Sequence, residues 1–210
     1  LSRTTDGGDE WRYTSTPTIA ATNVGSSFAD ERLVAPQVDH DATVFQEPFT
    51  VHVNIPEGAT LRYTKDGTTP TLRNGFTSTT GIFDIDKQNS ILRFCLFKDG
   101  YLPSPVVTRS YIYKNRDYYL PIVSVVTDEE HLYDNTIGVY VDGTNGINGN
   151  NKQNSNKNRG WERPVNFEYI LPDQSGEYRV MAINQEMDFE VNGGWSRHFA
   201  PGSSFKLKIA

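Results

Sequence analysis

Three cations near the end of the chain have the types and spacing for phosphate chemistry. Arg197 follows a Gly193-Gly194 turn, and Lys206 and Lys208 alternate along Ser204 to Ile209. Phosphoryl transfer needs positive groups on the phosphates, a metal held by carboxylates and a positioned nucleophile. Arg197 and Lys206 are therefore the candidate nucleotide contacts. The backbone N–H groups around the two glycines are placed to face an anion. A plainer role competes, because lysines on an edge strand commonly block strand addition.

Flat aromatic side chains offer a second chemistry, the stacking of sugars. Trp11, Tyr13, Tyr101, Trp161 and Trp195 are available, and Trp161 and Trp195 are the candidate carbohydrate contacts. Aromatics of β-sandwiches more often serve as core, and Trp161 beside a polar loop is expected to act as a lid on it. Paired carboxylates for glycoside hydrolysis would come from Asp128, Glu129, Glu130, Glu162 and Glu168. The first three are accounted for as charges at a helix start, and Glu162 is expected to pair with Arg163 or Arg159. No Gly-x-Ser-x-Gly elbow occurs, and His40, His52, His131 and His198 are scattered without the i, i+4 pairing of a zinc helix. Cys95 is the single cysteine and lies in the apolar run Ile91 to Phe97, which reads as a buried structural thiol. No residue is assigned a catalytic or metal-binding role.

The elements that must position these residues are strands. Eleven Tyr, eleven Phe and three Trp favour sheet, and 17 Gly with 11 Pro supply turns. A net charge of −6 argues against a nucleic-acid partner. No apolar run approaches the roughly 20 residues of a membrane span. The start at Leu1 reads as a cut inside a longer protein.

From residue 35 to 114 the alternation is regular. Phe49, Val51 and Val53, then Leu61 and Tyr63, then Ile82, Phe83 and Ile85 mark successive strands. The turns Pro56-Glu57-Gly58-Ala59 and Lys65-Asp66-Gly67 separate them, and Val106 to Tyr113 leaves as the last strand. Residues 115–117 are a polar hinge. A second set follows: a strand over Tyr119 to Thr127, a helical turn over Asp128 to Tyr133, and a strand over Gly138 to Val141. Residues 142–160 hold one apolar residue in nineteen and are expected to be a mobile loop. After Pro164, Val165, Phe167 and Tyr169 alternate with Asn166, Glu168 and Ile170, which puts the two sets on opposite faces and reads as a half-buried strand. Tyr178 to Ile183 returns antiparallel, Asn184 to Asn192 alternates again, and Phe205, Leu207 and Ile209 point inward from the last strand. The fold class is all-β: an immunoglobulin-like β-sandwich followed by a second antiparallel β-rich lobe with little helix.

Three segments resemble known families. Ala35-Pro36, Pro56 to Pro70 and Phe97 to Ser104 make residues 35–114 similar to the immunoglobulin-like module at the C-terminal end of chitobiases and hexosaminidases, where it is an appendage. Arg3 to Trp11, with Thr16-Pro17 and Asn23, resembles the closing segment of bacterial lamin-tail domains; the alternative is a linker over residues 1–34 with one docking aromatic. Leu120 to Ser124, Thr127-Asp128, Leu132-Tyr133, Gly138 to Val141, Trp161 to Val165, Val191 to Arg197 and Pro201 to Leu207 make residues 118–210 similar to the N-terminal part of the CotH-type spore-coat kinases. That resemblance implies a parent that binds ATP with Mg²⁺ or Mn²⁺ and phosphorylates protein serines, with the metal-binding aspartates downstream of Ala210. Gly202 and Ser203 stand where that family carries lysines. Together the resemblances imply a non-catalytic modular segment of a secreted or surface bacterial protein, partnered by other domains of its own chain, by protein or by polysaccharide. They place no cofactor in this segment and assign it no membrane span.

Overall fold

The computed structural model describes residues 1–210 apart from 17, 19–20, 24–26, 150–151, 179, 195–203 and 210. The chain is nearly all β. In chain order the first strands are β1 (Ser2–Arg3), β2 (Trp11–Arg12), β3 (Glu31–Arg32), β4 (Thr43–Phe45), β5 (Phe49–His52) and β6 (Thr60–Thr64). Next come β7 (Phe76–Ser78), β8 (Ile82–Ile85), β9 (Ser90–Phe97), β10 (Tyr101–Leu102), β11 (Val107–Tyr113) and β12 (Ile122–Val126). Helix α1 (Glu129–Tyr133) precedes β13 (Ile147–Asn148), β14 (Asn154–Ser155), β15 (Glu162–Leu171), β16 (Val180–Asn192) and β17 (Ser204–Ile209). Two compact units result. The first takes Leu1–Asp41, Glu47–Lys65 and Thr69–Arg109; the second takes Ala42–Gln46, Asp66–Thr68 and Ser110–Ala210.

In the first unit β6 pairs antiparallel with both β7 and β9, and β5 pairs antiparallel with β8. The two layers meet through Phe83, whose ring lies 5.1 Å from Phe94 and 4.8 Å, edge-on, from Tyr63. Val51, Leu61, Ile85, Leu92 and Leu96 fill the same core. Burying side chains of this size stabilises by about 1.5–3 kcal/mol each before ordering costs. The apolar run of β9 is covered on both faces, as expected. Leu92, Phe94 and Leu96 are buried, and so are Arg93 and Cys95 between them. Ser104 closes the end of β9: its Oγ accepts from the Leu96 N–H at 2.9 Å, and its own N–H donates to the Leu96 carbonyl at 3.0 Å.

Strand β7 had no hydrophobic signature, since Phe76 is largely exposed. A cation organises it instead. The Arg62 guanidinium donates to the carbonyls of Thr71, Asn74 and Gly75 and to Thr77 Oγ1, at 2.7–3.1 Å. Gly75 sits at φ +88°, and a Cβ there would lie 2.5 Å from the Tyr63 carbonyl oxygen, so the turn into β7 requires glycine.

In the second unit β12, β15, β16 and β17 form an antiparallel sheet in that order, and Tyr111 to Tyr113 of β11 pairs in parallel with β4. One core cluster joins Val139, Val165, Phe189 and Val191 with Leu132, Trp161 and Leu207. Another joins Ala42, Val44, Ile170 and Tyr178 with Ile112, Ile122 and Met181. Because β15 contributes to both clusters, both its faces are covered. This corrects the reading of the strand as half-buried: Val165 is buried on one face, and Asn166, Glu168 and Ile170 are buried on the other. Asn184 Nδ2 donates to Glu168 Oε1 at 3.0 Å, and Asn166 Nδ2 donates to Asn184 Oδ1 at 3.0 Å. A side-chain amide thus supplies a donor to one oxygen of the covered carboxylate.

Three further expectations are corrected. Gly138–Val141 is not a strand, because the Val139 and Tyr140 N–H groups donate back to the His131 and Leu132 carbonyls at the end of α1. The described residues of 142–160 are folded around Asn156, which is 1% exposed. Its Nδ2 donates to the carbonyls of Asn135 and Gly138, and its Oδ1 accepts from the Asn145 N–H, all at 3.1 Å. Gly143 makes room for it: at φ +61°, a Cβ there would overlap Asn156 Nδ2 at 2.1 Å. Finally, β17 runs along the sheet edge: Leu207 packs inward and Phe205, 45% exposed, stacks on buried Phe189 at 4.9 Å, but Ile209 is 74% exposed and does not point inward as expected. On the opposite edge, β12 begins at Ile122, and Tyr119 and Leu120 stand in solvent.

Candidate functional site

The residues singled out for phosphate chemistry converge on the β15–β16–β17 end of the second sheet. Register places Glu162 opposite Glu190, and Glu190 opposite Lys206. Two carboxylates facing each other across strands repel unless cations lie between them. Here the cations come from β17. Lys206 Nζ lies 3.0 Å and Lys208 Nζ 2.7 Å from Glu190 Oε2, and Lys208 also binds Glu162. Glu162 therefore pairs with Lys208 and not with Arg163 or Arg159. The hydrogen bond from Lys208, with that from Lys206 behind it, holds the Glu190 carboxyl below the usual carboxylate range against the opposing effect of burial. Hydrogen bonds to Glu162 and then Glu190 push the Lys208 ammonium up. Lys206 keeps 45% of its side chain exposed. It is a cation held by one carboxylate with its remaining donors free to turn outward. Arg197 lies outside the described residues.

Trp161 sits at the start of β15 and packs half-buried against Val139, Val165, Phe189 and Val191. The guanidinium carbons of Arg159 and Arg163 lie 5.3 and 5.0 Å from its ring centroid, within cation–π range. Arg163 is anchored in turn on the Ile137 carbonyl, and Arg159 Nε donates to the Asn145 carbonyl. The ring thus joins the folded loop to the sheet. Trp195, the other candidate sugar contact, lies outside the described residues.

Other groups form arrangements that sequence spacing did not show. Thr127 Oγ1 lies 2.9 Å from His131 Nδ1 and 2.7 Å from the Pro164 carbonyl oxygen. The carbonyl can only accept, so the single hydroxyl proton goes to it and His131 donates from Nδ1. That polarity is the reverse of a nucleophile activated by a base. Asp39 is the hub of a second arrangement. Its carboxylate accepts from the rings of His40 and His52, each through Nδ1 at 2.8 Å, and from the His52 backbone N–H at 2.8 Å. Burial alone would raise its pKa, but these hydrogen bonds outweigh it and hold Asp39 down to about 2. The two histidines are twelve positions apart, and the pairing of the chain before β4 with the end of β5 brings them together. That partnership is non-local, so no spacing rule could find it. Among the described residues, no group of three or more His, Cys, Asp or Glu side chains is placed to hold a metal ion. Cys95 is buried, with its thiol 3.4 Å from the Ser104 carbonyl oxygen, and burial pushes its pKa up.

The family described as "Fn3 associated" matches residues 53–111. The match runs from the residue after β5 into β11 and covers the greater part of the first unit's sandwich. It supports an immunoglobulin- or fibronectin-like module there, of the kind that serves as a non-catalytic part of larger chains. No curated protein and no solved structure matches the chain.

Proposed function

We propose that the chain is a non-catalytic modular segment of a secreted or surface-attached multidomain bacterial protein, and that it positions a CotH-type kinase-like domain. The observation that carries this reading is the Fn3-associated match over residues 53–111, on a sandwich whose interior is filled by packed aliphatic and aromatic side chains. The motifs from Leu120 to Leu207 supply the kinase-like half of the reading. ATP and Mg²⁺ or Mn²⁺ then belong to the parent protein, and the chain's partners are its neighbouring domains. The test is phosphate transfer from radiolabelled ATP with Mg²⁺ or Mn²⁺ to a mixed protein acceptor. The 210-residue chain gives no transfer and no ATP hydrolysis; turnover above a heat-treated control refutes the proposal.

One observation favours a second reading, in which the C-terminal sheet contributes contacts to the nucleotide. Lys206 is oriented by Glu190 and still half exposed, which suits a cation that grips phosphate oxygens. Calorimetry with ATP and Mg²⁺ separates the two readings. Heat that disappears in Lys206→Ala and persists in Lys87→Ala supports the nucleotide contact, and no heat removes it.

A further inference from the structure

A cleft of about 700 Å³ opens on the first unit, between the Pro36–Asp39 segment, residues His52–Asn54 and Arg109 of β11. Its volume falls within the usual range of small-ligand sites. The walls are fixed by backbone pairing: the Asp39 N–H donates to the His52 carbonyl at 3.1 Å, and the Asn54 N–H to the Gln37 carbonyl at 3.0 Å. The side chains on those walls are therefore presented from a braced frame, which lowers the ordering cost of binding.

Asp39 already accepts three N–H groups, so of about four acceptor positions one is left for a ligand. Gln37 and Asn54 are exposed, and their side-chain amides have no partner among the described residues. Arg109 is held at one corner only. Its Nη1 donates to the Thr108 carbonyl at 2.9 Å, Nη2 stands off Asp41 Oδ1 at 3.5 Å, and the buried Nε has no acceptor among the described residues. The remaining lining is aliphatic, from Pro36, Val38 and Val53.

Charge narrows the ligand class. Asp39 and Asp41 against Arg109 leave the site with no surplus of positive charge, so an anion gains nothing there. A metal ion lacks its ligand set among the described residues. What the cleft offers is planar groups that both donate and accept, side by side, over a small apolar floor. Adjacent hydroxyls on a ring also donate and accept, and they match such a surface. We propose that this cleft binds a neutral sugar unit, through Gln37, Asn54, Arg109 and the free acceptor position of Asp39. Without an aromatic platform in the lining, the affinity is millimolar.

The test is a titration of the ¹⁵N-labelled 210-residue chain with glucose, galactose and N-acetylglucosamine, each as monosaccharide and as tetrasaccharide, with sodium acetate as the anionic comparison. At least one sugar gives saturable shifts at the Val38 and His52 amides and the Asn54 side-chain NH₂. Asn54→Ala and Gln37→Ala, both at exposed positions and so compatible with folding, each weaken binding about fivefold, the loss of one or two hydrogen bonds. Leu72→Ala, elsewhere on the same unit, leaves it unchanged. A tetrasaccharide that binds more tightly than its monosaccharide identifies a glycan chain as the occupant, and equal binding identifies the free sugar. No saturable shift with any sugar overturns the proposal. So does sugar binding as tight in Asn54→Ala as in the parent chain, or acetate binding in place of sugars. The outcome is independent of the nucleotide tests above.

Discussion

Replacing Asn156 by alanine should release the loop over residues 142–160 as a unit. The side chain makes three hydrogen bonds in a fully covered position, two from Nδ2 and one to Oδ1. Each contributes about 1 kcal/mol net, and each leaves a covered backbone group behind when it is lost, so Asn156→Ala costs the loop about 3 kcal/mol. Every 1.4 kcal/mol is a factor of ten, so protection against hydrogen exchange falls by about two powers of ten where opening is local. The informative amides are those that Asn156 does not touch. The Thr144 N–H donates to the Asn135 carbonyl at 2.7 Å, and the Gly149 N–H to the Gln153 carbonyl at 3.1 Å. Both should accelerate together with Asn145. Asn156→Asp has the same size but aims an oxygen at two carbonyls, so it should do no better than alanine. If only Asn145 exchanges faster while Thr144 and Gly149 keep their protection, the side chain is not what holds the loop.

Other perturbations test the remaining arrangements. Asp39 is held near 2 in the fold against 3.8 when free. The unfolded chain therefore takes up this proton first, and the stability due to Asp39 is present above about pH 4 and lost as pH falls toward 2. Urea midpoints measured between these limits should fall less steeply for Asp39→Asn than for the parent chain; since the carboxylate is 41% exposed, solvent screening keeps the difference modest. Glu190→Gln removes the carboxylate shared by Lys206 and Lys208, and should cost about 1 kcal/mol at low salt and less at high salt, read by denaturation at two ionic strengths. The Cys95 thiol should resist Ellman's reagent in the folded chain and react at once in denaturant; rapid labelling of the native protein would contradict its placement under Ser104.

The strands of the first unit were legible because each buries alternate residues against a single opposing layer. Val51, Leu61, Phe83 and Ile85 lie inside, as the period of two required, and β9 reads as doubly covered because it is apolar throughout. What could not be read is whatever depends on polar side chains serving as packing. β7 is held by a guanidinium from β6, and the Asp39 hub joins the segment before β4 to the end of β5. Neither leaves a hydrophobic trace.

The same limit explains why β15 reads as half-buried from its sequence. A period of two says that its two faces differ; it does not say that the polar one meets water. In β15 Phe167 and Tyr169 of the greasier set are only half buried, although Val165 is covered, and Asn166 and Glu168 of the other set are covered completely. The covered face is held by a chain of hydrogen bonds from Asn166 through Asn184 to Glu168 across β15 and β16. A similar exchange operates in residues 142–160. The entropy argument for mobility counted apolar burial alone, which is one isoleucine. It left out that an asparagine amide can replace a missing backbone partner at both ends of a turn, as Asn156 and Asn158 do. An asparagine-rich segment is therefore ambiguous by composition. It is mobile where its amides face water, and folded where a glycine such as Gly143 lets one of them reach the backbone behind it.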